Sequence, residues 1–226
     1  MALWTLAGSG CGGDMSILSG LPYPGGVATV TEFGIEFTIN DTAIVSISTI
    51  DDPTALVWPS TTRGQRVGSD TMDLTSRCTF SAGDPSNGAY RRQVTFILYH
   101  AVSAAHWDSD VEQRLFNYVR NEVLPGRHAY FPDPSNHGVA IEYFDNQTTR
   151  HYLSYALAPI NGTISPVPAD QAGSAFEIVD HTRFAIGTEA RNLEVIAGRF
   201  NCKLYGPDGE VLRITNGRLV GLISLL

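Results

Sequence analysis

His106, Asp108 and Asp110 alternate near the start of the stretch AAHWDSDVEQRLFNYVRNEVLPGRH, Ala104 to His128. On an extended chain these side chains would face one way. An imidazole and two carboxylates could then hold a metal or relay a proton, with a further ligand from His100, His128 or His137. The same stretch carries a competing pattern. Ser109 and Glu112 have the spacing of a capping box. Asp108, Asp110 and Glu112 put negative charge at the positive end of a helix dipole. Val111, Leu115, Tyr118 and Val119 recur at helical spacing, and Pro125-Gly126 stops the run. A helix over about 109–123, begun by that cap, breaks the alternation that the metal trio needs. The acidic residues are therefore read as a helix start, and no catalytic residue or metal ligand is assigned. A metal-dependent hydrolase using His106 with Asp108 or Asp110 stays as an alternative.

Other chemistry leaves little trace. The chain has no GxSxG, HExxH or P-loop, and no GxGxxG in a strand-turn-helix setting. GSGCGG near the start lacks the lysine and the following helix of a phosphate loop. Cys11, Cys78 and Cys202 show no metal-site or CxxC spacing and read as free or buried thiols. No cofactor is expected. Asn40, Asn146 and Asn161 each open an N-x-T sequon, and plain turn residues rather than glycans are the favoured reading.

Strands must position whatever function there is. In FGIEFTI, Phe33, Ile35, Phe37 and Ile39 fall on one face; Asn40-Asp41 is a tight turn and TAIVSISTI a second strand. RCTFSA and YRRQVTFILYHAV pair around GDPSNG. In the second, Val94, Phe96 and Leu98 face one way and Ile97 and Tyr99 the other, the mark of a central strand covered on both sides, with the helix as one cover. VAIEYF and RHYLSYAL form a hairpin across DNQTT. PINGTISPVPADQAG is a connection; SAFEIVD, TRFAIG and NLEVIAG are short strands; and the end is a meander turning at Asp208-Gly209 and Asn216-Gly217. The fold class is all-β, an antiparallel sandwich or barrel-like domain of 1–226 with one helix.

Composition agrees. Hydrophobic residues make up 43% of the 226 positions and charged residues only 17%, so a sizeable core is available. The net charge is -8 and Lys203 is the only lysine, so no basic cluster exists to displace counterions from nucleic acid. No apolar run reaches the roughly 20 residues that cross a bilayer, and the first residues lack the charged region of a signal peptide. Two long polar connections, Asp51 to Asp73 and Ala129 to Gly138, carry aromatic and cationic side chains. Trp58, Arg63, Arg66, His128, Tyr130 and His137 are the candidate ligand- or receptor-binding residues, because aromatics and arginines on loops over a rigid scaffold are the usual materials of recognition. Phe131 lies beside them, and core anchoring explains such aromatics equally well.

Short strands, Thr/Ser/Asn/Pro-rich connections and the style of IEYFDNQTTRHYLSYALAPINGTISPVP (Ile141 to Pro168) resemble the protruding domains of non-enveloped virus capsids, most of all the astrovirus capsid spike. The resemblance lies in composition and architecture over the whole chain, and no binding residue carries over from it. It implies a non-enzymatic spike on the virion surface that attaches to a host-cell receptor or glycan, carries epitopes for neutralising antibodies and forms a homodimer. No nucleic acid and no membrane insertion are expected. The helix is longer than the resemblance leads one to expect. A trimeric phage or bacterial fibre-tip adhesin is the other non-enzymatic alternative.

Overall fold

The structure, a computed structural model, describes residues 33–49, 56–65, 71–84, 89–103, 117–131, 137–186 and 189–224. The strands among them are β1 (Gly34–Ile39), β2 (Ala43–Ser48), β3 (Leu56–Gln65), β4 (Thr71–Asp84), β5 (Ala89–Ser103), β6 (Gly126–His128) and β7 (Gly138–Asp145), then β8 (Arg150–Leu153), β9 (Ala156–Ile160), β10 (Thr163–Val167), β11 (Ala175–Ile186), β12 (Glu189–Tyr205) and β13 (Val211–Ser224). Every ladder between these strands is antiparallel. The all-β expectation holds.

One large sheet runs β2-β1-β13-β12-β8-β7-β5-β4-β3, with β11 and then β6 continuing from β12. β12 is long enough to serve β11 with its first part and β8 with its last residue, through the single pair Tyr205 and Leu153. That seam is weak in backbone bonds, and one side chain reinforces it. The Gln171 amide donates to the Ser154 carbonyl at 2.8 Å and the Lys203 carbonyl at 2.7 Å, while its oxygen accepts from Lys203 N at 3.0 Å.

The sheet curls into a half-barrel. Period-2 alternation supplies the inward face: Leu74, Cys78 and Phe80 on β4, Val94, Phe96 and Leu98 on β5, Val139, Ile141 and Tyr143 on β7. Curling brings these against Ile35, Phe37, Phe176, Ile196 and Ile214 from the other half. Phe96 stacks on Phe176 at 4.9 Å, and Phe37 meets Tyr143 edge-on at 5.8 Å. Full burial of each such side chain contributes about 2 kcal/mol. The β3 edge also meets β13, with the Thr61 hydroxyl donating to the Ser224 carbonyl at 2.7 Å. β5 is central, as its two apolar faces required, with Phe96 and Ile97 both buried.

Several expectations are corrected. The connection expected from Asp51 to Asp73 is instead largely strand: β3 fills Leu56–Gln65 and β4 begins at Thr71. Polar residues and Pro59 hid β3, yet an edge strand tolerates both because one side of it needs no partner. The connection expected at PINGTISPVP is the β9-β10 hairpin, turning at Asn161 (φ 52°) and Gly162 (φ 79°). Its prolines, 159 and 166, are likewise tolerated because each strand pairs on one side only. SAFEIVD and TRFAIG are one strand, β11, kept continuous by a bulge at Val179. NLEVIAG and FNCKLY are likewise one strand, β12.

The turn expected at Asn216-Gly217 is a β-bulge inside β13, whereas Asn40-Asp41 and Asp208-Gly209 do turn the chain. All three sequon asparagines lie at exposed turns. Of the expected helix, Asn117–Tyr118 are α-helical and Val119–Val123 form a single π-turn, closed by Leu124 N donating to the Val119 carbonyl at 2.9 Å. Pro125-Gly126 ends it, with Gly126 at φ 94°. Val119 and Leu124 join the core that Phe96 and Leu98 face. The cap at Ser109 and the residues His106, Asp108 and Asp110 lie outside the described residues.

Candidate functional site

The outward face of β3, β4, β5 and β7 is built by alternation from the positions the core does not use. Register lines them up in rows. Trp58 lies across from Thr79, Thr79 from Thr95, and Thr95 from Glu142. The next row is Ser60, Arg77, Ile97 and Ala140, and the next Thr62, Thr75, Tyr99 and Gly138. Trp58 is 60% exposed at the open end of the first row. The Thr79 and Thr95 hydroxyls bond each other at 3.1 Å, and Arg77 Nη1 donates to Thr62 Oγ1 at 3.3 Å.

Glu142 organises the other end. The Tyr155 hydroxyl donates to Glu142 Oε1, and His151 Nε2 stands 4.0 Å from Glu142 Oε2. Burial raises the Tyr155 pKa, and the hydrogen bond and charge of Glu142 raise it further. Tyr99 is raised by burial and by Glu142, against the pull of Arg77. Both phenols therefore stay protonated at neutral pH and can donate but not attack. These three rows offer hydroxyls, the Glu142 carboxylate, the Arg77 guanidinium and an indole plane, which can recognise a polar ligand.

The sequence candidates are dispersed. Trp58 is on this face. Arg63 belongs to β3, paired with Leu74, and Arg66 lies outside the described residues. His128 is half-buried on β6, its Nε2 3.0 Å from the Leu124 carbonyl and its ring edge-on to Phe176 at 6.2 Å. Tyr130 bridges to Val139, and its ring meets Phe176 at 90°. Its phenol is held well above the usual range, first by burial and then by Cys202. His137 comes close enough to His100 and His128 to lower the pKa of each, after the larger effect of burial. His128, Tyr130 and His137 thus gather at one edge of the core, and Trp58 alone of the six is shown exposed on the outward face, whose middle positions Ile97 and Ala140 are buried.

Arg77, Glu142 and Tyr155 were missed. Glu142 leaves a signal, a lone charge at an outward position of the apolar run VAIEYF. Nothing in the sequence says that Thr95 and Thr79 will bridge it to Trp58.

Burial pushes the Cys78 and Cys202 thiols up to about 12, so neither is a thiolate nucleophile at neutral pH. Among the described residues no group of three His, Cys, Asp or Glu side chains is placed to hold a metal, and no helix is long and apolar enough to cross a membrane. Compared with family models, with curated proteins and with solved structures, the chain matches none.

Proposed function

We propose that the chain is the outer attachment domain of a non-enveloped virus capsid, a spike of the astrovirus kind. It binds a host receptor or glycan, catalyses no reaction and works as a homodimer on the virion surface. The supporting observation is Trp58, a large aromatic left 60% exposed on a sheet face rich in hydroxyls. An indole in water gives up favourable burial, and such residues concentrate where partners bind. Sugars present flat CH faces to an indole and hydroxyls to side chains such as Ser60, Thr79 and Thr95. The rigid sheet holds these groups in place before binding, which lowers the ordering cost.

The test is cell attachment by the purified chain and its Trp58→Ala variant. A hot-spot aromatic is worth 2 kcal/mol or more, so attachment is expected to weaken at least about tenfold. The melting temperature should stay unchanged, since the side chain is exposed. Attachment that survives Trp58→Ala, or that survives deletion of the whole domain from the virion, overturns the reading.

A further inference from the structure

The outward residues of β12 and β13 make a second surface. Lys203 stands across from Arg213, and Tyr205 across from Val211. With Asn40 and Asp41 from the β1-β2 turn, and Asp170 from the segment before β11, they line an open cleft of about 660 Å³. Small-molecule sites typically enclose roughly 300 to 1,000 Å³.

Most of its walls are already held. Lys203 Nζ donates to Asp170 Oδ2 at 2.7 Å and Ala172 N to Asp170 Oδ1 at 2.9 Å, and together they keep this carboxyl below the usual range. The Tyr205 hydroxyl donates to the Asp170 carbonyl. Asn40 N donates to the Arg213 carbonyl at 2.7 Å, and Arg213 N to Asn40 Oδ1 at 2.8 Å. The Thr215 hydroxyl donates to Asp41 Oδ1 at 3.0 Å.

These bonds leave a specific remainder. Among the described residues the Arg213 guanidinium has no side-chain or charged partner. The Asn40 side-chain NH₂ and the second Asp41 oxygen are unspent too. Val211, 45% exposed, and the Tyr205 ring supply the apolar surface. One free cation, one amide donor, one carboxylate acceptor and an aromatic plane make a distinct set. A guanidinium fork matches a carboxylate with two parallel bonds. Asn40 and Asp41 match hydroxyls, and Tyr205 with Val211 matches a ring CH face. A dianion such as phosphate is disfavoured, because Lys203 is already spent on Asp170 and the one free cation, Arg213, shares the cleft with the carboxylate of Asp41.

We infer that this cleft binds a carboxylated sugar, its carboxylate on Arg213, its hydroxyls on Asn40 and Asp41 and its ring on Tyr205 and Val211. The cleft shares no residue with the Trp58 face, and the inference does not depend on the viral reading.

The experiment is a ligand-observed NMR titration of the full chain. The probes are the methyl glycosides of glucuronic acid and N-acetylneuraminic acid, with methyl glucoside, inorganic phosphate and N-acetylaspartate as comparisons. At least one acidic sugar is expected to bind saturably, about tenfold or more tighter than methyl glucoside. Arg213→Ala should weaken that binding by about tenfold or more, and Arg213→Lys should restore only part of it. Trp58→Ala should leave it unchanged, so failure here is separable from failure of the attachment reading. Absence of binding by both acidic sugars overturns the inference. So do equal binding of the neutral sugar, indifference to Arg213→Ala, or binding of phosphate or N-acetylaspartate as tight as that of the sugars. An unchanged melting temperature in the variants confirms that the fold is intact.

Discussion

His100 sits in the interior of β5 at 0% exposure, and among the described residues neither ring nitrogen has a hydrogen-bond partner. Burial, with His137 nearby, lowers its pKa from 6.5 to about 3. In the unfolded chain the imidazole takes a proton as the pH drops below 6.5, whereas the folded chain refuses it until about 3. Between those values the unfolded state binds the extra proton. Stability from this group is therefore complete above 6.5 and falls as the pH is lowered, by about 1.4 kcal/mol per unit. Urea unfolding at pH 7.5 and at pH 5 checks this. His100→Leu should show a shallower loss between the two, and an equal loss in the variant counts against it. Glu194 is a second buried polar side chain, this one with partners. Arg120 Nε lies 2.9 Å from Glu194 Oε1 but off the N–H axis, and His181 Nδ1 lies 3.3 Å from Glu194 Oε2. Arg120 is carried by the π-turn.

At the scale of elements, the Asn-Gly pairs show how context decides. Asn161-Gly162 turns a hairpin, and Asn216-Gly217 does not. Both asparagines take positive φ, 52° and 54°, so the local preference is honoured in each. In β13 it produces a bulge because strands lie on both sides. β1 shifts register between Glu36 and Thr38, and β12 between Phe200 and Cys202. Gly217 is required there by space. A Cβ would stand 2.6 Å from the Phe200 ring and from its carbonyl oxygen. Gly217→Ala should therefore destabilise by about 2 kcal/mol or more, read as a lower urea midpoint. A midpoint equal to that of the parent would mean that the bulge is not packed as described. β3 makes the same point in reverse. Its sequence has the look of a loop, and pairing with β4 over its whole length makes it a strand.

For the whole molecule, the curled sheet seals what lies between its halves. Cys78 comes from β4 and Cys202 from β12, and both are free and buried. With their pKa pushed to about 12, only about one thiol in ten thousand is a thiolate at pH 8. In a Cys11→Ser background, a thiol reagent at pH 8 should label neither cysteine of the native chain. Labelling should appear only with denaturant, at the rate of global unfolding. Rapid labelling without denaturant would show that the halves open locally.

The sequence by itself determined the local vocabulary. Alternation marked β1, β2, β5 and the hairpin of β7 with β8, and Asn40-Asp41 and Asp208-Gly209 marked turns. These depend on residues two to four apart, which is the range over which strand period and turn geometry act. The capping pattern turns the reading away from the helix, and low charge with long connections and no catalytic motif makes recognition the expectation, with Trp58 among its candidate residues. Only the tertiary structure decided who stands beside whom. It turned an expected loop into β3, put Trp58 in a row with Thr79, Thr95 and Glu142, and set Arg213 beside Asn40. Lateral strand order comes from burying apolar faces contributed by distant segments, and closing the chain between them costs entropy that no local pattern records.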